Sequence, residues 1–232
     1  MSIKGFEVIS IINKIADVIS ENKLYLTELD AAIGDGDHGL NMSKGFEAVK
    51  EKLVDDNGEN LGNTFKKIGM TLVSTVGGAS GPLYGTAFMK AAPVLNNKSE
   101  IDLDDFINVL KSSLDGIKMR GKAVAGEKTM IDSIEPALNS LIESKEKDLS
   151  IIDCLDNAQK AAYEGVEKTK EIKATKGRAS YLGDRSIGHQ DAGATSSYLI
   201  LKTIYEYITV PSAITASYLP VLASAPAASG SS

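Results

Sequence analysis

Ile3-Lys4-Gly5-Phe6-Glu7-Val8-Ile9-Ser10-Ile11-Ile12-Asn13-Lys14-Ile15-Ala16-Asp17-Val18-Ile19 sets a helical repeat near the start of the chain. Ile3, Phe6, Ile9, Ile12, Ala16 and Ile19 recur at steps of three and four, which lays one apolar stripe along a helix. The same period returns in Phe46, Val49 and Leu53, and again in Leu61, Phe65, Ile68, Leu72 and Val76. Further helices are expected near 83–92, 103–119, 130–143, 151–170 and 194–208. No alternating run bounded by Asn-Gly or Asp-Gly marks a strand. The pattern predicts an all-α fold: an antiparallel bundle of eight or so helices with mostly short connections.

Composition narrows the class. With 232 residues, 43% hydrophobic and 24% charged, the chain has material for a core, and wholesale disorder is excluded. A net charge of −6 argues against nucleic acid or an anionic membrane as a bulk partner. No long apolar run suggests a membrane span. Cys154 is the single cysteine, so there is no disulfide framework and no Cys-rich zinc site. A reducing, cytoplasmic setting is therefore expected, and residues 1–7 lack the form of a signal peptide. Residues 1–208 read as one helical domain. The remainder, 209–232, is rich in Ala, Ser and Pro, with no charge after Pro211. It is expected to be a flexible or weakly structured tail of the kind expression vectors append, and it is assigned no chemistry.

Glycines mark where the helices stop. They cluster at Gly34-Gly36-Gly39, Gly77-Gly78-Gly81-Gly85, Gly121-Gly126 and Gly177-Gly183-Gly188-Gly193. Turns alone need only one or two each. These loops also hold both histidines, His38 and His189, and two of the three arginines, Arg178 and Arg185. Alternate loops of an up-and-down bundle open at the same end, so 30–39, 77–82, 121–129 and 177–193 are expected to form one rim.

The most informative loop is Asp30-Ala31-Ala32-Ile33-Gly34-Asp35-Gly36-Asp37-His38-Gly39-Leu40-Asn41. Three aspartates in eight residues repel one another unless a cation or strong donors compensate. Flanking glycines let Asp35 and Asp37 converge with Asp30, and clustered hard oxygens suit Mg²⁺ or Ca²⁺. Gly34 to Gly39 also fits a dinucleotide fingerprint, but no convincing strand precedes it and, without a metal, its carboxylates would repel a pyrophosphate. An EF-hand fails because the sixth and twelfth loop positions would be Leu40 and Phe46. The plain alternative is a solvated acidic turn at the start of the helix beginning near His38. A metal here would leave positions for substrate phosphate, and the helix start at 38–41 offers free N–H groups to the same anion.

The other loops fit a phosphate ligand. Gly77-Gly78-Ala79-Ser80-Gly81-Pro82 lets a ligand approach the backbone closely. Gly121-Lys122-Ala123-Val124-Ala125-Gly126-Glu127-Lys128-Thr129 nearly reads as a Walker A loop, but Glu127 stands where that motif needs lysine. Lys128 and Thr129 are expected near the rim. Arg178 offers bidentate binding to phosphate, whereas Arg185 fits a surface ion pair. His189 to Thr195 reads as the N-cap region of the last helix.

Together these segments resemble the L subunit of dihydroxyacetone kinase. The resemblance is carried by the acidic glycine loop, by Gly77-Gly78-Ala79-Ser80-Gly81-Pro82-Leu83-Tyr84-Gly85, by Gly126-Glu127-Lys128-Thr129-Met130, and by Thr175-Lys176-Gly177-Arg178-Ala179-Ser180-Tyr181-Leu182-Gly183. It covers residues 1–208. It implies an eight-helix antiparallel barrel with ADP or ATP held at one open end. Asp30, Asp35 and Asp37 match the family's ligands for two Mg²⁺ ions. His38, Gly39, Leu40 and Asn41 match the stretch that touches the nucleotide phosphates, and Ala79 and Ser80 the Gly-rich loop. Gly121 and Met130 match positions lining the nucleotide, and Arg178 with Asp191, Ala192 and Gly193 closes the site. The aspartates and Arg178 are then the catalytic set, with neither histidine a phospho-carrier. The implied partners are a K subunit that holds the ketose, a phosphotransferase-system M subunit that rephosphorylates ADP, and in some cases a transcription regulator. The nucleotide domain of fatty-acid kinase shares the acidic loop, but typically has threonine where His38 stands.

Overall fold

The computed structural model of the chain describes residues 2–209, so the tail read from the sequence lies outside the described residues from 210 onward. Nine α-helices account for most of the described residues: α1 (Gly5–Glu21), α2 (Lys23–Ile33), α3 (His38–Lys52), α4 (Leu61–Thr75), α5 (Ser80–Ala91), α6 (Leu103–Gly121), α7 (Ile131–Glu146), α8 (Ile151–Lys168) and α9 (Ala192–Thr209). Two-residue strands β1 (Ile3–Lys4) and β2 (Glu100–Ile101) form one antiparallel pair, Ile3 opposite Ile101. That pair is too short for an alternating pattern to announce it.

Helix starts follow local chemistry. The Asn60 side chain accepts the N–H of Asn63 at the start of α4, and Ser150 accepts that of Asp153 at the start of α8. Asp102 and Asp105 exchange reciprocal bonds in a capping box on α6. Each helix then packs on the next. The order α1, α3, α4, α5, α6, α7, α8, α9 closes on α1, so eight helices make the ring. The ninth, α2, packs on α3 and α9 beside it.

Cross-helix contacts fix the alternation. Ser113 of α6 bonds Ala87 O of α5, Lys118 of α6 pairs with Glu135 of α7, and Ser133 of α7 bonds Ala162 O of α8. Where α4 crosses α5, a Cβ on Gly69 would lie 2.8 Å from Gly85 O, and one on Gly85 2.7 Å from Gly69 O. Only paired glycines allow backbones so close. Ring alternation brings the C-terminal ends of α1, α4, α6 and α8 to the same rim as the N-terminal ends of α3, α5, α7 and α9.

The predicted stripes Phe46, Val49, Leu53 and Leu61, Phe65, Ile68, Leu72, Val76 are all buried. On α1 the expectation is corrected at two residues. Ile3 lies in β1 ahead of the helix, and Phe6 is 64% exposed. Val8, Ile9, Ile11, Ile12, Ile15, Ala16 and Ile19 are the buried arc, and Phe6 falls about 140° round the helix from Ile19 at 3.6 residues per turn. Exchanging Phe6 for alanine should therefore change stability by less than about 0.5 kcal/mol, whereas Ile15→Ala should cost about 2–5 kcal/mol. Urea unfolding of the two variants checks the contrast.

Candidate functional site

The last turn of α2, the turn at 34–37 and the first turn of α3 form a tight reversal. Gly34 N–H donates to Asp30 O at 2.5 Å. A Cβ on Gly34 would lie 2.1 Å from Asp30 Oδ1, so no larger residue fits beside this carboxylate. Asp30 Oδ2 accepts the N–H of Asp37 at 3.0 Å and that of His38 at 3.2 Å. Asp30 thus caps α3 from the neighbouring helix, a task that sequence position gives to Asp37, whose side chain makes no capping bond.

This geometry brings together Asp30, Asp35 and Asp37, each offering a carboxylate oxygen within 4.8 Å of the others. Like charges at that spacing need a counter-charge. Arg178 supplies part of it, its Nε forming an ion pair with Asp35 Oδ2 at 2.9 Å. Three hard, closely spaced anionic oxygens also fit a divalent cation of the Mg²⁺ class, which takes oxygen ligands and keeps open positions. The residues present are compatible with such an ion.

A cleft of about 350 Å³ opens at this end of the ring. The four glycine-rich loops all contribute to it. Asp30, Asp35, Asp37, His38, Ala79, Ser80, Gly121, Met130, Arg178, Asp191, Ala192 and Gly193 line its wall. Gly39, Leu40 and Asn41 lie outside that lining. Gly39 is pressed against the backbone of Lys23 and Thr27, Leu40 is 51% exposed, and Asn41 abuts Gly77. What this stretch can present to an anion is the N–H groups of Gly39 and Leu40, since Asp30 takes that of His38 and Asp37 O that of Asn41.

His38 is buried, with Nδ1 2.9 Å from Ser80 Oγ and Nε2 2.9 Å from Ser196 Oγ. Burial lowers its pKa to about 4, against a weaker opposing pull from Asp30. The ring is neutral at physiological pH, and both nitrogens are engaged. Tyr84 OH lies 2.7 Å from Ser196 Oγ and 2.8 Å from Ser197 Oγ, and burial pushes its pKa up to about 12. His38 therefore ties α3, α5 and α9 together under the cleft.

Asp191 is the N-cap of α9, its Oδ2 accepting Ala194 N–H at 2.7 Å. Burial, aided by Asp132 and Asp30 and opposed by the Ala194 N–H bond and Lys128, pushes its pKa up to about 7. Asp132 itself accepts the N–H of Gly126 on Oδ1 and that of Thr129 on Oδ2 at 2.7 Å, which shapes the loop between α6 and α7. Lys128, expected near the rim, is 1% exposed. Tyr84, Asp132 and Ser196 have no place in the sequence reading as functional residues. Asp132 had a local signal, a carboxylate three residues after Thr129. The contacts of Ser196 with His38 and Tyr84 span 158 and 112 residues and leave none.

Residues 32–206 match the family described as the DAK2 domain. The chain belongs to the DAK2-domain family. It is 46% identical over 195 residues to the PEP-dependent dihydroxyacetone kinase 1 ADP-binding subunit DhaL of Listeria innocua, covering 84% of this chain and 92% of that protein. It is 43% identical over 204 residues to the corresponding DhaL subunit of Escherichia coli, covering 88% and 97%. The dihydroxyacetone kinase of C. freundii, solved with AMP-PNP and Mg²⁺, superposes with a TM-score of 0.65 at 28% identity, covering 86% of this chain and 33% of that one. This DAK2 chain thus belongs to a family that includes subunits named for ADP binding.

In the unfolded chain His38 titrates near 6.5, and in the folded one near 4. Its contribution to stability is complete above pH 6.5 and is lost as pH falls towards 4. Asp191 works in the opposite sense: raised from 3.8 to about 7, it contributes below about pH 4 and loses that contribution as pH rises through 7. In an NMR titration from pH 8 to 5 the His38 ring signals should stay at their neutral positions. In Asp191→Asn, free of the opposing carboxylate, the slope from His38 should emerge as stability that rises with pH between 4 and 6.5.

Proposed function

We propose that this chain is the nucleotide-binding subunit of a dihydroxyacetone, or related ketose, kinase, holding ADP or ATP with Mg²⁺ in the open-end cleft. The observation that carries the reading is the convergence of Asp30, Asp35 and Asp37 opposite Arg178, in a cleft whose other walls are helix N-termini and a Gly-rich loop. Relatives named as ADP-binding subunits over more than nine-tenths of their length support it.

The chain's own residues divide the work. The three aspartates would hold the metal, which when bound neutralises phosphate charge as a phosphoryl group moves to an acceptor hydroxyl. Backbone N–H groups of Gly39 and Leu40 at the start of α3, and those at Ala79 and Ser80 at the start of α5, are placed to receive phosphate oxygens. Gly121 and Met130 would flank the rest of the nucleotide. Arg178 is bound to Asp35 through an exposed side chain, and so can shift its guanidinium from carboxylate to phosphate at small cost. Phosphoryl transfer needs positioning and charge more than a nucleophilic side chain, and neutral, doubly bonded His38 suits a supporting role.

The cleft opens at the rim of the ring, where the phosphate end of a nucleotide can meet a second protein. The subunit naming of the relatives accords with a kinase assembled from several chains. A K-type subunit presenting the ketose and a phosphotransferase-system M subunit restoring the nucleotide are the partners this reading requires, and a transcription regulator is a further one. Among the described residues no helix is long and apolar enough to cross a membrane.

Asp35→Asn tests the reading, because the side chain is partly exposed and bears on no core contact. Mg²⁺-dependent ADP binding by calorimetry should weaken on the order of 100-fold, with circular dichroism unchanged. Kinase turnover with partner subunits should fall with it. Unaltered turnover in this variant would exclude the proposed role for the aspartates.

A further inference from the structure

Lys128 is the one buried lysine or arginine among the described residues. It sits in the loop joining α6 to α7 with φ +60°, a left-handed conformation unusual for a side chain of its size. Its Nζ donates to Thr169 O at 2.5 Å, to Ile172 O at 3.3 Å and to His189 O. An ammonium has three N–H donors, and here three carbonyls take them. Burial holds its pKa below the usual lysine range, and Asp191 and Asp132 lie close enough to oppose that in part.

The three carbonyls belong to the long connection between α8 and α9, and they span it from its first residues to the threshold of α9. That connection carries Arg178 in its middle and Asp191 at its end. It holds few apolar anchors: Ile187 is 47% exposed and Tyr181 87%. Its fastenings are mostly polar. Asp191 N–H donates to Thr169 Oγ1 at 3.0 Å, Gly188 N–H to Lys170 O at 2.7 Å, and Thr175 Oγ1 to Glu127 Oε1 at 3.1 Å. Lys128 joins both roots of the connection at a single point.

We propose that Lys128 is a positioning residue for the nucleotide site. Its ammonium clamps the two roots of the α8–α9 connection and so holds Asp191 and the Arg178 segment beside the three aspartates at the cleft. Lys128 also borders the cleft, where a lysine would ordinarily be read as a phosphate ligand. Its three donors are already used, and reaching a phosphate would strip a carbonyl of its only cation. The strained backbone at Lys128 is held by Asp132, which accepts the N–H groups of Gly126 and Thr129 on either side.

The proposal rests on the nucleotide-binding reading only for its effect on ligand, and two kinds of measurement keep the two apart. Hydrogen exchange with mass spectrometry on Lys128→Met, without ligand, should show peptides within 169–191 exchanging at least about tenfold faster, with α1 to α5 unchanged. Calorimetry should show ADP binding in Mg²⁺ weakened about tenfold, while Mn²⁺ binding alone, followed by electron paramagnetic resonance, stays within about twofold. The metal-only signal reports the aspartates, which Lys128 does not hold. Weaker ADP binding with unchanged exchange at 169–191 would make Lys128 a direct phosphate ligand and overturn the clamp. Faster exchange with unaltered ADP affinity would overturn the positioning role, and acceleration throughout the chain would reduce Lys128 to a general stabilising residue. Should Lys128→Met fail to fold, Asp132→Asn, which loosens the loop from its other side, should give the same local pattern at smaller amplitude. A uniform effect there overturns the proposal. If the unaltered protein binds no ADP, the functional reading falls, and the exchange experiment still decides whether the clamp exists.

Discussion

One oxygen organises the working end of this protein. Asp30 Oδ2, in the last turn of α2, accepts the N–H groups of Asp37 and His38, and this pair of hydrogen bonds turns the chain back on itself within eight residues. The reversal starts α3 beside α2 and draws three carboxylates into a space where their repulsion must be answered. Arg178 answers from the neighbouring α8–α9 connection. The pair is exposed, so it answers the aspartates' repulsion only in part and leaves room for a cation. Removing Asp30 would undo both, since the same side chain is a cap and a member of the cluster.

Beneath the cleft lies a polar layer in an otherwise apolar ring. His38, Ser80, Tyr84, Ser196 and Ser197 satisfy one another, and Asp132, Lys128 and Asp191 form a second group alongside. Buried polar groups fix a unique arrangement only when their partners are complete, and here each is bonded to a different helix or loop. The two groups fasten the same four loops from below. Loop position in this protein is set by directional bonds, while the helices that carry the loops are set by undirected burial.

That division explains what could be read from sequence. The helices were legible because burial imposes a period of 3.6, and the stripes from Phe46 to Leu53 and Leu61 to Val76 lie buried where that period puts them. Phe6 obeyed the three-residue step yet points outward, because three-residue steps drift round a helix and a single apolar residue at the end of a stripe carries little phase. α2 was hidden, since only Leu26 and Ile33 of its residues are buried and no stripe exists to see. The aspartates could be picked out because they are close in sequence and chemically conspicuous. Lys128 could not, because its acceptors lie 41, 44 and 61 residues away and are backbone atoms, which no residue pattern records.

An even number of staves has a consequence for how this domain can be joined to others. With eight helices alternating round the ring, α1 begins and α9 ends at the same pole, opposite the cleft mouth. The distance between that pole and the mouth is one helix length, about 27 Å for the eighteen residues of α9. A neighbouring module spliced ahead of β1 or beyond Thr209 emerges there, leaving the mouth open to a docking surface arriving from the other direction. The same helical unit can therefore serve as a free subunit or as one segment of a longer polypeptide, with no redesign of its ligand-facing end.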